Sequence, residues 1–153
     1  MGLGRIFKFI ATLGPIGYLP APGTAASAVV FFILFFVQPF LTPIAYSFLI
    51  LMSCIVAWIS VNYLQRYYQM GDAPEIVIDE YLGALVSMFL MPANWYVFLV
   101  GFTLFRLLDI YKPYLIGSCE KIPGATGVLL DDVVAGAVTN LILHVGIAYF
   151  FVL

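Results

Sequence analysis

Glu75 and Asp79 stand four residues apart in the segment Asp72-Ala73-Pro74-Glu75-Ile76-Val77-Ile78-Asp79-Glu80. On a helix that spacing turns both carboxylates to one face, where like charges repel unless a cation lies between them. A second acidic pair, Asp131-Asp132, follows Gly124-Ala125-Thr126-Gly127 and opens onto an apolar run. The helix dipole favours one aspartate at such a start, but two beside lipid need a further role, and metal binding by at least one of them is expected. Between the two lies Arg106-Leu107-Leu108-Asp109-Ile110-Tyr111-Lys112-Pro113, in which residues 106, 109 and 112 share one side of a helix end. An Arg fork with a nearby Lys is how proteins grip phosphate, with Asp109 fixing the Arg or touching the metal. Magnesium held by these carboxylates would neutralise phosphate charge and orient water for in-line attack. Glu80 projects about 100° away from Asp79 on a helix, towards a supporting role or solvent, and Asp72 can cap the helix.

These groups must be positioned by a very apolar chain. All eight carboxylates lie between Asp72 and Asp132, whereas the 57 residues from Phe9 to Gln65 carry no charged side chain. With 64% hydrophobic residues, 9% charged and a mean hydropathy of +1.10, the composition lies far outside that of soluble domains. An Asp at the centre of a membrane helix costs roughly 2.5–3.5 kcal/mol, so acids retained in such a chain need a function. The expected architecture is all-α: one domain over residues 1–153, a polytopic helical membrane protein with about four to five membrane helices.

The elements follow from hydropathy and its breaks. Thr24 to about Leu41 and Pro43–Leu64 are predicted spans, and Val133–Leu153 is the last. Glu75–Met91 and Asn94–Tyr111 form a short helical hairpin joined by Pro92-Ala93, and residues 113–131 form a polar segment. The N-terminus resembles a signal peptide, but Gly14, Pro15, Gly17, Pro20 and Pro22 break the apolar run. A short interfacial helix around Gly4–Leu13 followed by a Gly/Pro loop is expected instead. In this layout Arg5, Lys8, Arg66, Arg106, Lys112 and Lys121 fall on one side, which the positive-inside rule makes cytoplasmic. That side also collects the three chemical motifs.

Other chemistries lack their residues. Cys54 and Cys119 form neither a disulfide framework nor a zinc pattern, and the single His144 lies mid-span, where helix packing is the expected role. There is no Cys-x5-Arg loop, Asp-x-Asp-x-Thr nucleophile or Walker A loop. No nucleic-acid partner is expected, and the oligomeric state stays open. A small transporter or divalent-cation channel is the rival reading, and it requires acidic groups spread along the membrane depth.

Taken together, the motifs resemble those of the phosphatidylglycerophosphatase A family, essentially end to end. The resemblance rests on Gly17-Tyr18-Leu19-Pro20-Ala21-Pro22-Gly23-Thr24, on Glu75-Ile76-Val77-Ile78-Asp79-Glu80 with Gly83, on Phe105 to Pro113, and on Gly127 to Gly136. Ala26, Ala84 and Ala125 stand where the family commonly has Gly, Gln and Gly, and no departure removes a carboxylate or the Arg/Lys pair. The resemblance implies a magnesium-dependent hydrolase of phospholipid biosynthesis. It would remove the terminal phosphate of phosphatidylglycerophosphate to give phosphatidylglycerol, at the cytoplasmic face of a bacterial inner membrane. Carried over, Glu75, Asp79, Asp131 and Asp132 become magnesium ligands, and Asp79, Asp131 and Asp132 the catalytic carboxylates. Arg106, Lys112, Gly23 and Thr24 hold the phosphate, while Asp72, Glu80 and Asp109 support them from behind.

Overall fold

The computed structural model describes residues 2–68 and 73–152, and these are helical with no strand among them. Seven α-helices run in the order α1 (Leu3–Ala11), α2 (Pro22–Val37), α3 (Pro43–Tyr68), α4 (Ile78–Ser87), α5 (Trp95–Tyr111), α6 (Tyr114–Glu120) and α7 (Ala125–Val152). Single turns at Ile16–Tyr18 and Gln38–Phe40 flank α2. Three stretches are long and apolar enough to cross a membrane: Pro22–Phe40, Pro43–Tyr68 and Ala125–Tyr149. Their outward faces carry exposed Phe32, Phe36, Ile44, Phe48, Leu141 and Val145, the surface that lipid would cover.

α1 is the short helix expected at the N-terminus. It presents Leu3, Ile6 and Phe9 outward and packs on the end of α3, where Gly4 leaves room for the Tyr68 ring and Phe7 meets Tyr63 at 4.7 Å between centroids. Arg5 and Lys8 therefore lie at the end of the bundle where α3 carries Arg66.

α4 and α5 form the predicted hairpin, with a different start. The helix begins at Ile78 rather than Glu75, because the Val77 N–H donates to the carbonyl of Ala11 at 2.9 Å and pins the chain to the end of α1. Residues 74–75 are thereby a turn, closed by Ile76 N–H on the Ala73 carbonyl at 2.9 Å. The opposite correction applies to α7: it starts at Ala125, eight residues before the predicted span, so Asp131 and Asp132 lie about two turns inside the helix rather than at its mouth. The predicted polar segment is likewise largely helical, since residues 114–120 form α6 and bury Ile116.

The far end of α4 and the turn after it need partners for carbonyls that the helix leaves without donors. Three neighbouring elements supply them. The Tyr46 hydroxyl donates to Leu85 at 3.0 Å, and the Asn140 amide donates to Ser87 at 3.0 Å and Phe89 at 2.8 Å. The buried Gln38 amide donates to Met88 at 3.1 Å and to Met91. The hairpin turn is thus tied to the end of α2 and the start of α3. Gln38→Leu strips the donor from Met91, and it should lower stability by about 1–2 kcal/mol. An SDS titration of the micelle-bound protein reads this as an earlier midpoint; an unchanged midpoint would remove Gln38 from the anchor.

The core between α2 and α5 is aromatic. Phe31 packs edge-on against Phe98 and Phe102 at 6.5 and 5.7 Å between centroids, and lies 6.1 Å from the fully buried Phe105. Phe105 immediately precedes Arg106, so this contact holds the end of α5 against the middle of α2. α4 meets α7 more closely still, because Gly83 faces Gly136: a Cβ on Gly136 would collide with the Gly83 carbonyl and lie 3.2 Å from its Cα. This pair sits one helical turn beyond Asp79 and Asp132.

Candidate active site

Four helices deliver the polar residues to one place. The first turn of α4 carries Asp79 and Glu80, and the interior of α7 carries Asp131 and Asp132. The end of α5 supplies Arg106 and Asp109 with Lys112 as its cap, and the start of α2 supplies Gly23 and Thr24. All of them line a cavity of about 560 Å³, together with Gln65 and Lys121.

Glycine packing of α4 on α7 decides the centre of the site. One carboxylate oxygen each from Asp79, Glu80 and Asp132 lies within 4.8 Å of the others. Burial pushes the Asp79 carboxyl well above its usual range, and the neighbouring Glu80 and Asp132 charges push it further. Glu80 is raised as well, chiefly by burial, with its hydrogen bond to Asp79 and the Arg106 charge pulling the other way. Among the described residues Glu80 also keeps one buried oxygen, Oε2, without a hydrogen-bond partner. A hard divalent cation answers both conditions, since it takes oxygen ligands and offsets crowded negative charge. The trio therefore fits magnesium.

The cations are held just beside it. Arg106 bonds to Asp109 through Nη1, lies 3.7 Å from Glu80 Oε1, and reaches the Thr24 hydroxyl from Nη2 at 3.4 Å. Its buried Nε has no partner among the described residues. Lys112 donates to Asp131 Oδ2 at 2.8 Å, and the other oxygen of Asp131 accepts the Asp132 N–H at 3.0 Å. Both oxygens of Asp131 are thus engaged within the protein, whereas one oxygen of Asp132 belongs to the trio. Gly23 is the second residue of α2, and a Cβ there would collide with Glu80 Oε1 and sit 3.2 Å from Arg106 Nη2. Two non-glycine residues at the rim adopt left-handed backbone, Ala21 at φ 51° and Lys112 at φ 42°. Such conformations cost of order 1–2 kcal/mol each and gather at functional sites.

Of the residues read from sequence, Asp79, Asp131, Asp132, Arg106, Lys112, Asp109, Gly23 and Thr24 share this cavity. Glu80 shares it too, within the trio rather than behind it. Glu75 does not line the cavity: it precedes α4 in the turn, its backbone carbonyl packs on Gly17, and the helical face with Asp79 is never formed. Asp72 lies outside the described residues. Gln65 and Lys121 escaped the sequence reading. Lys121 stood between two acidic motifs as its only signal, and Gln65, at the end of a charge-free run, had none.

Curated relatives match most of the chain. A Bacteroides thetaiotaomicron protein, provisionally named a phosphatidylinositol-3-phosphatase, is 31% identical over 140 residues, covering 84% of this chain and 86% of the relative. The Escherichia coli phosphatidylglycerophosphatase A is 30% identical over 140 residues, covering 89% of this chain and 77% of its own. Its Haemophilus influenzae namesake is 32% identical over 148 residues, with 84% and 86% covered. No solved structure matches. The sequence model of phosphatidylglycerophosphatase A matches residues 9–147, which takes in every residue of the cavity. The chain therefore belongs to the phosphatidylglycerophosphatase A family.

Proposed function

We propose that the protein hydrolyses the terminal phosphomonoester of phosphatidylglycerophosphate, giving phosphatidylglycerol and inorganic phosphate, with magnesium held by Asp79, Glu80 and Asp132. The observation that carries this reading is the buried carboxylate trio beside Arg106, in a chain of this family. Five carboxylates and three cations line the cavity, so a phosphate dianion needs added positive charge before it can enter. Magnesium, when bound, supplies that charge and lowers the cost of deprotonating water.

The protein's own groups do the rest. The Arg106 fork, steadied by Asp109, receives phosphate oxygens, and the Thr24 hydroxyl and the Gly23 backbone at the start of α2 add donors on the same side. Lys112 keeps Asp131 turned away from the trio and adds positive charge at the rim. A carboxylate of the trio takes the proton of the attacking water as the water oxygen bonds to phosphorus and the ester P–O bond breaks. That proton then passes to the departing glycerol oxygen.

The clustering of the acids at one end, next to Arg and Lys, supports a phosphate substrate over an ion path along the membrane. All six basic residues belong to the elements at that same end, which supports an active site facing the cytoplasm of a bacterial inner membrane. The acyl chains would stay in the bilayer beside the three apolar helices.

The test is phosphate release from phosphatidylglycerophosphate in detergent micelles, with phosphatidylinositol 3-phosphate run in parallel. Release is expected with magnesium, should stop in EDTA, and should return when magnesium is restored. Folded, magnesium-replete protein that releases nothing from phosphatidylglycerophosphate would defeat the reading; preference for the inositol lipid would move the substrate assignment to that headgroup.

A further inference from the structure

We propose that Lys121 forms a second anion subsite in the cavity, with Gln65, and that this subsite takes the internal phosphodiester of the lipid. The inference rests on the phosphatase reading above and names what selects its substrate.

The cavity holds three cations, and two already have partners. Arg106 is tied to Asp109 and Glu80, and Lys112 to Asp131, so both act where the carboxylates are. Lys121, which caps the end of α6, lines the same cavity from a different element and makes no ion pair among the described residues. Gln65 lines it from α3, its amide oxygen at van der Waals distance, 3.9 Å, from where a Cβ of Gly124 would be. Among the described residues the Gln65 amide forms no hydrogen bond.

The chemistry of the substrate matches this division. Phosphatidylglycerophosphate carries a terminal monoester dianion and, one glycerol away, a diester with a single negative charge. A dianion at a metal calls for the planar Arg fork and the carboxylate trio. A diester that is held but not cleaved needs only a point charge and a neutral donor, which a Lys ammonium and a Gln amide provide. Lys121 is exposed at the edge of the cavity, where its long stem lets the ammonium reach a diester lying outside the carboxylate trio.

The experiment separates the two phosphates. Phosphate release from phosphatidylglycerophosphate is measured in mixed micelles for wild type, Lys121→Gln and Lys121→Arg. Phosphatidylglycerol, which has only the diester, and phosphatidate, which has only the monoester, serve as competitors. Lys121→Gln should raise the KM for phosphatidylglycerophosphate and the inhibition constant of phosphatidylglycerol roughly tenfold each, with kcat within about twofold. The inhibition constant of phosphatidate should move far less, and Lys121→Arg should restore most of the loss. An unchanged KM, or equal weakening towards both competitors, overturns the subsite while leaving the phosphatase intact. Wild-type protein silent on phosphatidylglycerophosphate removes the phosphatase reading, and the subsite with it.

Discussion

Asp132→Asn should lower kcat for phosphate release by about a thousandfold, equivalent to roughly 4 kcal/mol of barrier. Asp132 is the member of the trio that comes from α7, and it is only 3% exposed. Its neighbour Asp131 has both oxygens occupied, by the Lys112 ammonium and the Asp132 N–H. Asp131→Asn should therefore cost much less, roughly ten- to thirtyfold, through a misplaced Lys112. The two substitutions also part company in stability. Asparagine keeps the shape of Asp132 and removes one of three crowded charges, so in EDTA the thermal midpoint of Asp132→Asn should equal or exceed that of wild type, a trade of stability against function. The measurement is kcat at saturating magnesium with a melting curve in EDTA. If Asp131→Asn proves the more damaging of the two, the trio is wrongly assigned.

The second large effect lies where no chemistry occurs. Gly136→Val should abolish activity and lower stability by about 2–3 kcal/mol, because its Cβ meets the Gly83 backbone rather than a side chain that can swing aside. The only relief is to move α4 from α7, which separates Asp79 and Glu80 from Asp132. Magnesium should accordingly raise the melting point of wild type and fail to do so in the variant. Gly146→Ala, on the same helix with nothing within 4 Å of the added carbon, is the control and should behave as wild type. A Gly136→Val protein that keeps its activity and its response to magnesium would show that close approach of the two helices does not assemble the site.

Composition and local pattern alone determined much of this protein. Hydropathy made it helical with apolar spans, and the confinement of acids to residues 72–132 marked the end that holds the polar cavity. The Arg106–Asp109 pair forms as its spacing of three predicts because both residues lie within one uninterrupted helix, where phase is local, whereas Lys112 lies just past the helix end, in left-handed backbone, and turns to Asp131. Glu75 falls outside the cavity and Glu80 inside the carboxylate trio because phase there depends on where α4 begins, and a hydrogen bond from Val77 to Ala11, distant in sequence, decides that start. Asp131 and Asp132 moved from a helix mouth to its interior for the same kind of reason, since α6 and the start of α7 take up what local polarity read as a loop. The three amide and hydroxyl groups that close the hairpin, the Gly83–Gly136 contact and the presence of Lys121 and Gln65 in the cavity are all meetings of separate elements. A sequence shows which residues can do chemistry and which face they share within one helix. Which helix lies against which, and how closely, is settled only when the backbone's donors and acceptors have found partners across the bundle.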